Sequence, residues 1–392
     1  MNTILIKQVS LNGKNVDILI KDNIFKLISS KIDIKTERII DGRNLAIIPP
    51  FYNMHSHAAM TQLRGFADDM PLFKWLNDYI WIEESKMNEE DIYIGTILAI
   101  KEMIHSGTAF FLDMYWFDRQ IIRAVENMKI RANVGITFIE SRGEKEIVEK
   151  IDFINNFKHT SSLINISVAP HAIYTCSKDL FIELHKVAKQ NNLKFQTHLA
   201  ETIQEVEDCK KAHNNLSPVE YLDSIGVLDN NTILAHCVHI SEKDAEILSE
   251  RGCFLIHNPC SNMKLSSGCF NTPLVKKYNL NVALGTDGAS SNNNLSMIEE
   301  MKFAALLAKH HFKDPALLSA EEVFLWATKN GAKAVGINAG EIKEGMLADC
   351  LLIDLNNPLM QPNHNFISNM VYSADGSVIK TLICNGEILL NK

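Results

Sequence analysis

The chain lacks several features that would assign it to common protein classes. Its eight cysteines never form a Cys-x-x-Cys pair, so a cysteine-based zinc site is not expected. No glycine-rich phosphate loop occurs. The longest apolar runs are short, such as FAALLA at 303–308, whereas a membrane-spanning helix needs about 20 apolar residues. We therefore expect neither a phosphate-loop enzyme nor a membrane protein.

Positive charge is also scarce. The chain has 39 Lys and Arg against 47 Asp and Glu, which gives a net charge of −8. Because nucleic-acid binding calls for clustered Lys and Arg, no nucleic-acid partner is expected. The first twenty residues alternate and carry charge, without the basic start and apolar block of a signal peptide. These features favour a cytoplasmic protein whose buried cysteines are reduced.

The pattern of apolar residues differs between the ends and the middle of the chain. Residues 3–48 and 346–390 alternate apolar and polar residues, as antiparallel strands do. The middle alternates short apolar strands with amphipathic helical stretches, which indicates βαβ units. Strands are predicted there at 46–54, 109–114, 131–138, 164–169, 193–197, 232–235, 253–256 and 281–285. Helices are predicted at 88–105, 118–128, 144–158, 177–191, 241–251, 296–309 and 320–335.

Eight such units fit one barrel. We therefore predict an α/β fold in which residues 50–345 form a (β/α)8 TIM-type barrel that carries the catalytic site. Residues 1–49 and 346–392 are predicted to form a small β-sandwich domain, since the termini of a chain often lie near each other.

Side chains that can bind metal or move protons recur where the predicted barrel strands end, the edge at which barrel enzymes place their chemistry. His55 and His57 project to one face of the first strand, because side chains alternate along a strand. With His198 and Asp287 they would give a nitrogen and oxygen ligand set that suits Zn²⁺, and also Fe²⁺ or Mn²⁺. Further polar residues at strand ends are His171, Glu201 and His236.

Several sequence motifs at and near these strand ends carry a family resemblance. Within the barrel they are HSHAAMTQLRGFADDMPLFKWL, GTAFFLDMY, PHAIYTCS, THLAET, LAHCVH, HNPCSNMKLSSG and LGTDGASSNNNLSM, and after the barrel comes GEIKEGMLADCLLIDL. On these motifs the chain resembles the amidohydrolase superfamily, and within it the methylthioadenosine/S-adenosylhomocysteine deaminase group. The last motif is similar to the segment with which that superfamily enters its small β domain.

The resemblance implies a single divalent metal, zinc before iron or manganese, held by His55, His57, His198 and Asp287. Relatives with two metals commonly bridge them with a carboxylated lysine from the fourth strand. The corresponding stretch here, INISVAPHAIY, contains no lysine. A mononuclear site is therefore favoured.

The resemblance further implies hydrolytic deamination of a purine nucleoside, which yields the inosine analogue and ammonia. Glu201 matches the residue that contacts the purine and protonates its ring nitrogen. Asp287 would take a proton from water and pass it to the departing ammonia, and His236 would hold the water and the developing oxygen.

Substrate contacts follow from the same resemblance. Trp75 would line the pocket, His171 would contact the purine edge, and Glu84 would bind the ribose 2′- and 3′-hydroxyls, although Glu83 stays an alternative. Arg142 is the one arginine near the position where relatives hold the carboxylate of S-adenosylhomocysteine, and an apolar GITFI replaces their first arginine. We therefore expect methylthioadenosine, 5′-deoxyadenosine or adenosine to be preferred over S-adenosylhomocysteine.

Rival functions stay open at this point. A free-base deaminase of the guanine type, a triazine-type hydrolase and a non-catalytic nucleoside- or metal-binding protein share the same barrel signals. A cytidine-deaminase type of enzyme is excluded, because no His-x-Glu occurs and Pro259-Cys260 is followed by SNM. The native metal, the 5′ substituent and the association of identical chains into a homo-oligomer are not decided by the sequence.

Overall fold

A parallel barrel and a second sheet form the molecule, which we describe from a computed structural model over residues 3–158 and 161–392. Strands are numbered along the chain. The end sheet contains β1 (Thr3–Leu11), β2 (Lys14–Lys21), β3 (Ile24–Ser29), β4 (Arg38–Asp41), β5 (Leu45–Ile48), β14 (Cys350–Asp354), β15 (Ile379–Cys384) and β16 (Glu387–Asn391). The barrel contains β6 (Phe51–Ser56), β7 (Thr108–Tyr115), β8 (Arg131–Phe138), β9 (Ile164–Pro170), β10 (Lys194–Leu199), β11 (Thr232–His236), β12 (Phe254–His257) and β13 (Asn281–Leu284).

The barrel strands pair in parallel and in sequence order from β6 to β13. A side chain helps to join the last strand to the first. Asn53 accepts a hydrogen bond from the Thr286 N–H at 2.9 Å and donates one to the Thr286 hydroxyl at 2.7 Å. The Asp287 N–H donates to the carbonyl of His55 at 2.9 Å. These bonds bring the ends of β6 and β13 together at the edge where the polar residues collect.

Helices pack around the barrel between successive strands. Several begin with a capping box, in which a Ser or Asn side chain and an acidic side chain three residues later satisfy each other's backbone N–H groups, as Ser241 and Asp244 do. Among the described residues no helix is long and apolar enough to cross a membrane. The α-helices are Leu72–Trp75, Trp81–Glu84, Glu89–His105, Asp118–Met128, Glu144–Asn155, Lys178–Gln190, Ile203–Ala212, Pro218–Ser224, Glu242–Arg251, Pro259–Lys264, Thr272–Lys277, Met297–Phe312, Ala320–Ala327, Lys329–Val335 and Phe366–Tyr372.

The end sheet interleaves strands from both parts of the chain. Its strand order is β16-β15-β14-β5-β1-β2-β3, and β4 pairs with β1. Its apolar face encloses a core of its own, which includes Ile4, Ile18 and Ile383. A buried ion pair joins the sheet to the barrel, with Arg131 Nε 3.1 Å from Asp349 Oδ2. The structure thus confirms the predicted fold class of a (β/α)8 barrel with a second β unit from both chain ends.

Two predicted elements are divided in the structure. The predicted strand 46–54 is two strands, β5 in the end sheet and β6 in the barrel. Pro49 and Pro50 separate them, because proline has no N–H to donate to a sheet. The predicted helix 320–335 is interrupted at Thr328, whose ψ of −93° is not helical. The division into domains at 49/50 and 345/346 stays a prediction, and residues 1–2 of that prediction lie outside the described range.

Candidate active site

One cavity at the carboxyl ends of the barrel strands collects most of the predicted site residues. His57, His198, His236 and Asp287 line it together with Glu201. His55 lies buried beneath them, with its ring 4.9 Å from that of His57. The other predicted residues that line this cavity are Trp75, Glu84 and His171.

Four side chains converge on one point at the base of this cavity. The Nε2 of His57 lies 3.1 Å from Asp287 Oδ1 and 3.3 Å from His198 Nε2. The Nε2 of His55 lies 3.5 Å from the same carboxylate oxygen. Ligand atoms of His55, His57 and His198 all lie within 4.8 Å of one another. Three imidazole nitrogens and one carboxylate oxygen therefore face a common space.

The hydrogen bonds around these side chains fit a bound cation. Nδ1–H of His57 donates to the carbonyl of Met114 at 2.5 Å, and Nδ1–H of His198 donates to the carbonyl of His171 at 2.7 Å. Each ring therefore turns its Nε2 toward the shared space, where this nitrogen can bind a cation once it carries no proton. The buried Nε2 of His55 has no hydrogen-bond partner among the described residues. A set of three imidazoles and one carboxylate suits Zn²⁺.

The pKa shifts place one positive charge, on His57, beside the Asp287 carboxylate. Burial acts to lower the pKa of His57, yet the Asp287 carboxylate raises it to about 9. Burial acts to raise the pKa of Asp287, but His55 and His57 hold it well below its usual range. Burial lowers the pKa of His55 to about 4 and that of His198 well below its usual value, so both imidazoles are neutral and can act as ligands. A divalent cation bound here would supply this positive charge beside Asp287 in place of the proton on His57.

Two serines fix the orientation of Asp287. The hydroxyls of Ser261 and Ser291 donate to its Oδ2 at 2.6 and 2.8 Å. Its Oδ1 is thereby left to face His55 and His57. Asp287 has a φ of 64°, in the left-handed region that non-glycine residues rarely adopt. Such conformations persist where the surrounding structure holds them and are common at functional sites.

His236 and Glu201 face each other beside this cluster. The Nε2 of His236 lies 3.8 Å from Glu201 Oε2, and its Nδ1 lies 2.9 Å from Asn262 Oδ1. His236 also has a positive φ, of 71°. Burial raises the pKa of Glu201, even though the Ser267 hydroxyl donates to its Oε1 at 3.2 Å. Glu201 can therefore hold a proton at a higher pH than an exposed glutamate can.

A second buried carboxylate, that of Glu84, also lines the cavity. Glu84 is only 9% exposed, and its Oε1 accepts a hydrogen bond from the Tyr115 hydroxyl at 2.7 Å. Burial raises the pKa of Glu84. Glu83, the alternative from the sequence, instead pairs with Lys86 at 2.5 Å on the outer surface. The geometry thus places Glu84, and not Glu83, against the cavity.

Arg142 lies outside this cavity. Its guanidinium stacks on the Trp116 ring at 3.9 Å and is 3.8 Å from Glu146. It lines a neighbouring cavity, which shares Glu84 and Trp116 with the first one. His171 lies inside the first cavity, where burial and the nearby His57 and His55 lower its pKa to about 3.

Sequence reasoning did not find the side chains that orient the site. Ser261 and Asn262 belong to the HNPCSN run at the end of the seventh strand, where the sequence indicated polarity but not which group each residue would contact. Tyr115 ends the apolar strand β7, which predicts a buried aromatic residue and not a hydrogen bond to Glu84. The repeated Ser and Asn residues beside Asp287 were the available signal.

Comparisons with known proteins agree with this geometry. A family model described as the amidohydrolase family matches residues 46–389. A protein of Methanosphaera stadtmanae named 5′-deoxyadenosine deaminase is 45% identical over 99% of this chain and 93% of its own length. One of the same name from Methanocaldococcus jannaschii is 44% identical over 99% and 94%. An adenosine deaminase from Xanthomonas campestris, solved with bound zinc, has a TM-score of 0.92 and 29% identity over 99% of this chain and 92% of that one.

Proposed function

The chain belongs to the amidohydrolase family, and on that premise we propose that it is a metal-dependent hydrolytic deaminase of adenine nucleosides that acts on 5′-deoxyadenosine. One observation carries the proposal. One cavity contains a cluster of three histidines and Asp287, a buried proton carrier in Glu201, and a second buried carboxylate in Glu84. Deamination of a nucleoside uses all three parts.

The cofactor is one divalent cation, and zinc fits the ligands best. His55, His57, His198 and Asp287 would hold it. When bound, zinc lowers the pKa of water from 15.7 to roughly 7 and so makes a nucleophile available at neutral pH. The net reaction forms a carbon–oxygen bond at the amino-bearing carbon of the purine and breaks the carbon–nitrogen bond, so water is consumed and ammonia is released.

Protons are moved by the chain's own residues. Glu201, whose pKa is raised by burial, donates a proton to the purine ring nitrogen next to the attacked carbon. Asp287, whose Oδ1 faces the cluster, accepts the proton of the attacking water and returns it to the departing ammonia. His236, held by Asn262, places its Nε2 beside Glu201, where it contacts the water and the oxygen that develops.

The nucleoside is held on the side of the cavity that Glu84 forms. A carboxylate accepts hydrogen bonds from both hydroxyls of a ribose, and Tyr115 fixes the orientation of this one. His171 and Trp75 line the same cavity and would contact the purine. A free-base deaminase or a triazine hydrolase has no diol to offer Glu84, and this disfavours both alternatives. A non-catalytic binding protein would not need Glu201 and His236 beside a ligand set.

The outward position of Arg142 favours a substrate without a charged 5′ tail. Its guanidinium is occupied by Trp116 and Glu146, so it does not present a free clamp for an amino-acid carboxylate. We therefore rank 5′-deoxyadenosine, methylthioadenosine and adenosine above S-adenosylhomocysteine.

Ammonia release across a substrate panel tests the proposal. The panel holds those four nucleosides, adenine, guanine and a chloro-triazine, and the metal content is measured in the same protein sample. Hydrolysis of the chloro-triazine is followed by chloride release, because chloride is its leaving group. We expect 5′-deoxyadenosine to give the highest kcat/KM and both free bases to be poor substrates. A higher kcat/KM for guanine, for the triazine or for S-adenosylhomocysteine would contradict the proposal.

A further inference from the structure

Glu300 is a fully buried acid that lies outside the active-site cavity. It belongs to the helix Met297–Phe312 and is 0% exposed. An acid in such a position needs hydrogen-bond partners, because an unpaired buried polar group is costly. Its partners connect it to the active site through two separate segments.

The two carboxyl oxygens of Glu300 hold two different parts of the chain. Its Oε2 accepts a hydrogen bond from the backbone N–H of Cys260 at 3.1 Å. Its Oε1 accepts one from the Asn292 side-chain amide at 2.6 Å. Cys260 lies in the helix Pro259–Lys264, whereas Asn292 follows β13. One side chain thus bridges two segments that are distant in sequence.

The first of these segments orients two residues of the site. Next to Cys260 in the same helix, Ser261 donates to Asp287 Oδ2 at 2.6 Å. Asn262 follows, with its Oδ1 2.9 Å from His236 Nδ1. A shift of this helix would therefore move the partners of both Asp287 and His236.

The second segment orients Asp287 from the other side. The Asn292 amide that reaches Glu300 also donates to the carbonyl of Thr286 at 2.7 Å, directly before Asp287. The neighbouring Ser291 donates to Asp287 Oδ2 at 2.8 Å. Both hydroxyls on Oδ2 are thus supplied by segments that Glu300 ties together.

We propose that Glu300 is a positioning residue, which fixes Asp287 and His236 by holding the segments that carry Ser261, Asn262 and Ser291. It contacts neither the substrate nor the metal ligands, so it acts through those side chains alone. This role rests in part on the proposed function, because its kinetic effect presupposes deamination. Its effect on Asp287 as a metal ligand does not.

The test compares Glu300→Gln with Glu299→Gln, the same chemical change one residue earlier on the same helix. Glutamine keeps the size and shape of the Glu300 side chain. Glutamine has one carbonyl oxygen, however, and cannot accept both bonds. Glu299 instead accepts a bond from Asn294 and is only half-buried.

We expect Glu300→Gln to lower kcat roughly 10-fold with KM changed less than about threefold, and to speed metal release to a chelator roughly 10-fold. Glu299→Gln should match the unmodified protein in both measurements. Circular dichroism on the same samples checks that each variant is folded. Equal kcat and equal metal release for the two variants would overturn the proposal.

Two further variants keep the test decisive. Asn292→Ala removes the bridge from its other end and should reproduce the faster metal release of Glu300→Gln. In a chain that already carries Ser291→Ala, Glu300→Gln should decrease kcat and speed metal release by smaller factors than it does in the unmodified protein, because both changes act on Asp287. If the effects of the two substitutions on kcat and on metal release are fully additive, Glu300 does not act on Asp287 through the segment that carries Ser291. If the unmodified protein binds metal but deaminates nothing, the proposed function fails, and the metal-release comparison still decides the role of Glu300.

Discussion

Replacing Glu84 with glutamine tests whether the buried carboxylate selects a ribose. Glu84 is 9% exposed, and its Oε1 is already bonded to the Tyr115 hydroxyl at 2.7 Å. A ribose diol brings two further O–H donors to this group. Glutamine presents a single carbonyl oxygen, so at least one bond to a charged acceptor is lost.

The size of the effect follows from that loss. A hydrogen bond to a charged group contributes about 1.5–3 kcal/mol, which corresponds to a roughly 10- to 150-fold decrease in kcat/KM. Ammonia release is measured with adenosine and with 2′,3′-dideoxyadenosine, which lacks the diol. We expect Glu84→Gln to decrease kcat/KM for adenosine by that factor and to leave the dideoxy analogue within about threefold.

A neighbouring residue gives a matched control. Glu83 has the same side chain but pairs with Lys86 on the outer surface. Glu83→Gln should therefore leave kcat/KM unchanged for both substrates. If Glu84→Gln and Glu83→Gln have the same ratio of kcat/KM values for the two substrates, Glu84 does not select the diol. Equal losses on both substrates would mean that Glu84 supports the cavity without binding the diol.

The pH dependence of KM checks the same contact in the unmodified protein. Burial raises the pKa of Glu84, so the carboxylate is lost at a higher pH than for an exposed glutamate. As the pH falls through that raised pKa, one acceptor becomes a protonated oxygen. KM for adenosine should then rise, whereas KM for the dideoxy analogue should stay flat. Parallel pH profiles for the two substrates would speak against this assignment.

Two other predictions follow from specific contacts. Tyr115→Phe removes the hydroxyl that orients Glu84, so KM for adenosine should rise roughly 10-fold while the dideoxy analogue is unaffected; equal changes for both would contradict it. Arg131→Met leaves Asp349 buried without its partner and should decrease the free energy of unfolding by about 3–5 kcal/mol, measured by denaturant titration. The exposed ion pair of Lys129 links the same two units, and Lys129→Met should cost at most about 1 kcal/mol; equal losses would show that burial is not the cause.

Much of the fold could be predicted because its signals are local. Most barrel strands are short, mainly apolar runs bounded by polar residues, and each predicted barrel strand overlaps an observed one. The division of 46–54 could not be predicted from apolar content alone, because β5 and β6 are both apolar. The prolines between them were the local signal. The pairing of β5 with β1 and β14 shows that β5 and β6 belong to different sheets.

The candidate site shows a similar limit. His55 and His57 could be placed on one face because side chains alternate along a strand, and barrel topology brings later strand ends to the same edge. The choice between Glu83 and Glu84 depends on which face of a short helix meets the cavity. The sequence of two adjacent glutamates does not indicate which of them lies on that face. Glu300 had no local signal at all, since its role depends on contacts with Cys260 and Asn292 across the fold.

Metal titration of protein stripped by a chelator tests the central claim most directly. Ammonia release from 5′-deoxyadenosine is measured as zinc is added back, with bound metal counted in each sample. We predict no release without metal, a rise in proportion to bound zinc, and saturation at one zinc per chain. Full activity in metal-free protein, or saturation only at two metals per chain, would contradict the mononuclear site of His55, His57, His198 and Asp287.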